Sequence, residues 1–269
     1  MSKDYLQFFG LSGPAFSKTI PADRIFRYRD LEELHCYLAH AVADGAVAAL
    51  TGPVGAGKST AARSFLASLD PNRVGVLYIG FTASDRGLFR EMARGLGLAP
   101  AYLKGDLVVQ LHTAIEHVWL NKHRQTLLVV DDAHLLPDAL LTELRQLLNF
   151  QMDAATPLAM LLVGQPALRG RLKDPMHEAL AQRTPVRCTL VGFSRAEAAD
   201  YVRVHMEAVG GDPGIFTDEA IDMAYQHAKG LPREMNNVLV YALIRAAWQE
   251  VKVVDRRIIE ETIKAQTQG

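Results

Sequence analysis

Before residue 192, the hydrophobic positions of the chain fall into short continuous runs separated by longer amphipathic stretches. The runs at residues 47–50, 74–79, 126–130, 158–163 and 186–190 are mostly continuous in apolar residues, which is typical of parallel strands buried on both faces. Stretches with helical spacing lie between them, at residues 58–69, 85–96, 106–120 and 137–150. This alternation predicts an α/β fold in which helices cover both faces of a parallel sheet, with ligands at the carboxyl ends of the strands.

The pattern changes near Gly192, after which it is helical only. Ser194 and Glu197 have the spacing of a capping box, and Thr217 and Asp255 are further candidate N-caps. We therefore expect three parts: an N-terminal segment with a first helix at residues 1–45, an α/β core at 46–191, and a small helical lid domain at 192–269.

A phosphate-binding motif, GxxxxGK[ST], follows the first apolar run directly and precedes a helical stretch that starts near Thr60. Its residues are Gly52, Pro53, Val54, Gly55, Ala56, Gly57, Lys58 and Ser59, and Thr60 directly after it is a further candidate for nucleotide contact. Glycines allow backbone N–H groups to converge on phosphates, Lys58 reaches the β and γ oxygens, and Ser59 can ligate Mg²⁺. The motif predicts binding of ATP with Mg²⁺; the alternative is a glycine-rich turn that binds nothing.

Two carboxylates, Asp131 and Asp132, follow the apolar run at 126–130. At that position we expect Asp131 to hold Mg²⁺ and Asp132 to polarise the attacking water as general base. The alternative is an aspartate pair that caps the turn before Pro137. For His134 we expect a surface histidine, with contact to a neighbouring subunit or nucleotide sensing as the alternative.

Composition and charge narrow the range of partners. The chain of 269 residues has 29 Lys and Arg against 30 Asp and Glu, so no global positive field attracts nucleic acid, and any DNA contact is a local patch. Cys36 and Cys188 have no metal-site spacing. No stretch approaches the ~20 apolar residues that cross a bilayer. We expect a soluble, cytoplasmic protein without membrane contact.

The order of the motifs resembles that of the AAA+ ATPases, with a three-layer core and a helical lid. The motifs are the phosphate loop, Asp131-Asp132-Ala133-His134, Gly164-Gln165-Pro166, Gln182-Arg183 and Gly230-Leu231-Pro232-Arg233. Within this family the chain resembles the branch of ExeA-type secretion ATPases and of TniB, TnsC and MuB-type transposition regulators, as does its N-terminal segment from Tyr5 to Phe16.

The resemblance implies roles for three further residues. Gln165 takes the position that senses the γ-phosphate, Arg183 that of an arginine finger supplied to the next subunit, and Arg233 that of the lid arginine. An arginine fork neutralises charge on the transferring phosphoryl group. Arg187 competes with Arg183 for the finger role, and a solvated surface arginine is the alternative for both.

Two details of the resemblance concern Asp132 and the adenine. Most relatives carry Glu at the position of Asp132, and the shorter side chain withdraws the base by on the order of 1 Å, so we predict slow hydrolysis. Leu11, Phe16, Ile25 and Phe26 of the N-terminal segment are candidates for adenine contact, with core packing as the alternative.

Three biological roles are compatible with the sequence. The first is a regulator that assembles with ATP into a ring or filament, binds double-stranded DNA non-specifically, and recruits a transposase or integrase; Thr82 and Arg86 are the candidate phosphate contacts, with a solvated surface as the alternative. The second is an ExeA-type ATPase that assembles a secretion or envelope machine. The third, a small-molecule phosphotransferase, is disfavoured because it does not need a lid with Gly-x-Pro-Arg.

Overall fold

The computed structural model of the protein describes residues 4–17, 20–80, 85–151 and 154–267. Its strands are β1 (Val47–Thr51), β2 (Val74–Ile79), β3 (Gln125–Val130), β4 (Leu158–Gly164) and β5 (Val186–Thr189). Its helices are α1 (Tyr5–Phe9), α2 (Arg29–Ala43), α3 (Lys58–Ser68), α4 (Asp85–Gly95), α5 (Lys104–Lys122), α6 (Asp138–Leu147), α7 (Pro166–Arg171), α8 (Glu178–Gln182), α9 (Arg195–Glu207), α10 (Asp218–Ala228), α11 (Pro232–Trp248) and α12 (Arg256–Thr267). Every predicted strand is present, with ends that move by at most one residue.

The five strands form one sheet in the order β2-β3-β4-β1-β5. Every pairing in it is parallel, which confirms the predicted class of fold. Strands β1, β3 and β4 are buried along their whole length, because each has a neighbour on both sides and helices on both faces. The edge strands β2 and β5 alternate between more and less exposed residues.

Helices cover the sheet on both faces and form a three-layer core. On one face, α2 packs on β1, β4 and β5, and α3 packs on β4; Leu38 and Phe65 of these helices are fully buried. On the other face, α4 packs on β2, α5 on β3 and α7 on β1, with Phe89 and Leu111 buried. The sheet therefore lies between two helical layers, as the strand–helix alternation predicts.

The chain divides into two compact units. The first comprises Met1–Tyr28, Val54–Gly57 and Val191–Gly269, and the second comprises Arg29–Pro53 and Lys58–Leu190. The second unit contains the sheet, and the first contains helices α9 to α12. The predicted limits of the three functional parts, 1–45, 46–191 and 192–269, stay predictions.

The first unit has a helical core of its own, and three of its helices start at the predicted N-caps. Ser194 and Glu197 form both bonds of a capping box at α9. Thr217 accepts from the Ala220 N–H at 3.2 Å, and Asp255 accepts from the Ile258 N–H at 3.0 Å. Satisfied first-turn N–H groups explain why α9, α10 and α12 begin at these residues.

In the part of the chain that the structure describes, we find no helix that combines the length and the apolar character required to cross a membrane.

Candidate nucleotide site

The phosphate loop connects the carboxyl end of β1 to the first turn of α3. Gly55 and Gly57 have φ values of +85° and +87°, in the left-handed region that side chains with a Cβ disfavour. Lys58 begins α3, and its Nζ donates to the Pro53 carbonyl oxygen at 2.9 Å. The lysine side chain therefore folds back along the loop, toward the region where the motif predicts phosphate.

The strand order brings the loop and the acidic strand end together. Strand β4 separates β1 from β3, and such a change in strand order opens a crevice at the carboxyl ends of the strands. Ser59 and Asp131 meet there: the Ser59 Oγ donates to the Asp131 Oδ2 at 3.1 Å, although the residues are 72 positions apart. A hydroxyl and a carboxylate oxygen are the hard ligands that Mg²⁺ prefers. The pair therefore fits the predicted metal-binding role.

Asp132 occupies a backbone conformation that is uncommon for residues other than glycine. Its φ is +49°, and its N–H donates to the Asp131 Oδ1 at 2.9 Å. Aspartate tolerates the left-handed region better than most residues, and such conformations cluster at functional sites. The Asp132 side chain is 53% exposed, so water reaches the carboxylate that is predicted to act as general base.

The expectation of a surface position for His134 is wrong. Its side chain is only 8% exposed, and its Nδ1 lies 3.9 Å from the Asp132 Oδ1. The short 3₁₀ turn Ala133–Leu135 lies against the end of β4, where a Cβ on Gly164 would come within 3.2 Å of the His134 N. This close approach buries the histidine beside the predicted general base. The sequence could not reveal this burial, because the approach of the turn to β4 depends on how the strands pair.

Gln165 directly follows β4, the strand between β1 and β3, and is the N-cap residue of α7. On one side of β4, Gly164 pairs with Thr51, after which the phosphate loop begins; on the other side, Leu162 pairs with Val130, which precedes Asp131. The γ-phosphate-sensing role stays a prediction, but the chain position matches the requirement that the side chain starts between these two groups.

Tyr78 is a residue of this site that the sequence reasoning missed. Its hydroxyl donates to the Asp131 Oδ2 at 3.2 Å. Burial, followed by the negative charge of Asp131, raises the pKa of Tyr78, so the phenol is protonated and able to donate at neutral pH. The available signal was the pairing of the predicted strands, since Tyr78 lies beside Val129 in the sheet, on the face from which Asp131 also projects.

Of the two candidate finger arginines, Arg183 lies near the opposite end of the sheet, whereas Arg187 lies within β5 beside Ala49. The Arg183 carbonyl oxygen accepts from the N–H of Val47, the first residue of β1, at 3.0 Å. The Arg183 guanidinium donates to the Asn149 Oδ1 at 2.8 Å, and the side chain lines a cleft of about 230 Å³. Arg187 instead donates to the carbonyls of Thr184 and Ala181, at the end of α8.

Several predicted residues lie in the first unit. The Arg233 N–H donates to the Gly55 carbonyl oxygen at 3.2 Å, and the Arg233 residue is exposed. Leu11 and Phe16 are 8% and 4% exposed, and Phe26 contacts Phe193 edge to face. Leu11, Phe16 and Phe26 thus all pack in the hydrophobic core of the first unit, which agrees with the alternative of core packing. Contact of these residues with adenine stays a prediction.

Neither candidate DNA contact has a side chain among the described residues. Thr82 lies outside the described residues, and Arg86 belongs to α4 with a side chain that is also outside them. DNA contact at these positions stays a prediction.

The parallel sheet flanked by helices, the phosphate loop after β1 and the carboxylates after β3 make up a P-loop AAA+ fold, the fold of enzymes that bind and hydrolyse ATP. Residues 43–172 match the family described as AAA domain. Over 247 residues the chain is 32% identical to General secretion pathway protein A of Aeromonas hydrophila, an alignment that covers 90% of this chain and 45% of that protein. The chain thus spans less than half the length of this relative.

Solved structures share the fold. Cdc6p from Pyrobaculum aerophilum superposes with a TM-score of 0.72 at 17% identity, over 93% of this chain and 70% of that one. The ORC1 protein of Aeropyrum pernix, solved in complex with DNA, gives a TM-score of 0.67 at 16% identity, over 93% and 68%. At these identities the likeness concerns the fold alone.

Proposed function

We propose that this ATPase works as a nucleotide-dependent oligomer that acts on a protein assembly, in a role related to that of its secretion-pathway relative. The proposal of a protein assembly is supported by the 32% identity to General secretion pathway protein A over 90% of this chain. The proposal of an oligomer is supported by the position of Arg183.

Arg183 is too far along the sheet to serve the phosphate loop of its own chain. Its backbone bonds to Val47, where β1 starts, whereas the loop begins after Thr51, where β1 ends. A strand of this length spans about 16 Å, which is beyond the reach of an arginine side chain. If Arg183 neutralises charge on a transferring phosphoryl group, it does so on the nucleotide of a neighbouring subunit, and an active site is complete only in an oligomer.

Each remaining site residue has one chemical task in this proposal. Ser59 and Asp131 hold Mg²⁺, which when bound neutralises charge on the phosphate oxygens. Lys58 binds the β and γ oxygens, Gln165 orients toward the γ-phosphate, and Asp132 accepts the proton of the attacking water. Since an aspartate reaches less far than a glutamate, turnover is slow and the ATP-bound oligomer persists.

The test of the shared site uses mixed subunits. Arg183→Ala and Lys58→Ala should each reduce ATP turnover, by on the order of 10³-fold for the arginine, because one lacks the finger and the other lacks nucleotide binding. Mixing the two should restore part of the turnover, since an intact loop meets an intact finger at some interfaces. No recovery at any ratio would refute a finger that acts in trans.

Arg187→Ala is the matched control, because Arg187 lies four residues away and caps carbonyls of its own chain. It should retain most of the turnover and should rescue Lys58→Ala in the mixture as wild-type subunits do. Asp132→Asn should retain ATP binding and lose turnover.

Sedimentation with ATP, with ADP and with a non-hydrolysable analogue distinguishes the two kinds of partner. ATP-dependent oligomers that form equally with and without duplex DNA would support action on a protein assembly. Oligomers that form only on duplex DNA, with a steep dependence on salt, would instead favour the transposition regulator. Monomers in every nucleotide state would refute the oligomer.

A further inference from the structure

The carboxylate of Asp131 is oriented by donors from three directions within the second unit. Its Oδ1 accepts from the Asp132 N–H at 2.9 Å. Its Oδ2 accepts from the Ser59 hydroxyl at 3.1 Å and from the Tyr78 hydroxyl at 3.2 Å. Asp131 follows β3 directly, and these three bonds fix the orientation of its carboxylate.

The donors differ in what else they do. Ser59 is itself an expected ligand of Mg²⁺, so its hydroxyl oxygen serves the metal and does not only orient the carboxylate. The Asp132 N–H is a backbone group on the side of the carboxylate away from Ser59. Tyr78 is the donor whose hydroxyl has no other polar contact among the described residues and no predicted metal role.

The surroundings of Tyr78 do not require a tyrosine for packing. It lies on the edge strand β2, on the sheet face that α2 and α3 cover over the central strands. At this edge the cover ends: Tyr78 is 60% exposed, and Val76 on the same face is 38% exposed. A largely exposed ring gains little from burial, so the contact of its hydroxyl with Asp131 is the more specific feature.

We propose that Tyr78 is a positioning residue of the metal site, and that its hydroxyl holds the Asp131 carboxylate in the orientation that receives Mg²⁺ with the nucleotide. The proposal rests on the metal-holding role of Asp131. Donors behind a ligating carboxylate fix its orientation, and their loss costs about 10- to 100-fold in metal affinity. Because this bond is long and partly exposed, we expect the lower end of that range.

The test measures metal affinity directly. Mn²⁺ is titrated into the protein–ADP complex, and free Mn²⁺ is followed by electron paramagnetic resonance. Tyr78→Phe removes the hydroxyl and keeps the ring; it should weaken Mn²⁺ binding by about tenfold. ADP affinity in excess EDTA should stay unchanged, since the Tyr78 hydroxyl bonds to the carboxylate that holds the metal.

Two controls separate positioning from a general effect on the strand. Val76→Ala, on the same face of the same edge strand, should leave Mn²⁺ affinity unchanged. In an Asp131→Asn background, Tyr78→Phe should cause no further loss, because the carboxylate that it positions is absent.

Unchanged or tighter Mn²⁺ binding by Tyr78→Phe would overturn the inference, as would an equal loss in the Asp131→Asn background. If the wild-type protein bound no ADP, the nucleotide site itself would be refuted. That outcome is distinct from a wild-type protein that binds Mn²⁺ and ADP while Tyr78→Phe does so equally well.

Discussion

Gly230 begins the Gly-Leu-Pro-Arg motif, and its replacement by alanine tests whether the backbone there needs a residue without a Cβ. Gly230 has a φ of +74°, and a Cβ built on it would lie 2.2 Å from the Phe193 carbonyl oxygen and 3.1 Å from the Phe193 N. The Gly230 carbonyl oxygen also accepts from the Phe193 N–H at 2.8 Å. Both chain segments belong to the first unit, so the contact is part of that unit's own packing.

The expected cost of Gly230→Ala has two parts. An alanine in the left-handed region costs about 1 kcal/mol relative to glycine. A Cβ cannot stay 2.2 Å from the Phe193 carbonyl oxygen, so the two backbone segments must separate by on the order of 1 Å. This separation weakens or breaks the hydrogen bond between the Phe193 N–H and the Gly230 carbonyl oxygen, worth about 1 kcal/mol, and disturbs the packing beside it. We therefore expect a total loss of about 2–4 kcal/mol in the free energy of unfolding.

Gly210→Ala is a closely matched control. Gly210 lies in the same unit with a φ of +73°, and nothing lies within 4 Å of a Cβ placed there. It should lose only the conformational part, about 1 kcal/mol. Urea unfolding followed by circular dichroism at 222 nm measures both variants. If Gly230→Ala were no less stable than Gly210→Ala, the contact with the Phe193 backbone would not be what restricts residue 230 to glycine.

Three other perturbations have defined outcomes. His205 is buried, and its Nδ1 donates to the Ala15 carbonyl oxygen. Burial lowers the pKa of His205 in the folded protein. The stability that the neutral ring contributes is complete above the unfolded pKa of about 6.5 and is lost as pH falls toward and through the folded pKa. His205→Gln should therefore flatten the dependence of the urea midpoint on pH between 8 and 5, and an unchanged slope would contradict this. Phe65 is 1% exposed, so Phe65→Ala should cost about 3–5 kcal/mol in urea unfolding, and a loss below about 1 kcal/mol would show that the site collapses around the cavity. A hydrogen bond from Arg171, with a smaller effect from one by His177, holds the pKa of Asp138 below its ordinary value. Arg171→Gln should therefore raise the pKa of Asp138 in a carboxyl NMR titration, and an unchanged pKa would mean that Arg171 does not act on the carboxylate.

The sequence by itself determined the strands and the longer helices, and it predicts phosphate binding by the loop after β1. These features are local: an apolar run bounded by turns predicts a buried strand, and glycines at fixed spacing before Lys58 and Ser59 predict a loop that binds phosphate. The capping residues Ser194 and Thr217 also act within one helical turn. Patterns of this kind are complete within a few residues, so no knowledge of distant contacts is needed to interpret them.

Only the tertiary structure decided which distant residues share the site. The position of β4 between β1 and β3 brings Ser59 to Asp131, and the register of β2 beside β3 brings Tyr78 to the same carboxylate. The packing of the turn after Asp132 against Gly164 buries His134. Arg183 lies at the far end of β1 for the same reason. Strand order and register arise from pairing between segments far apart in the chain, and the local pattern of each strand is compatible with several such arrangements.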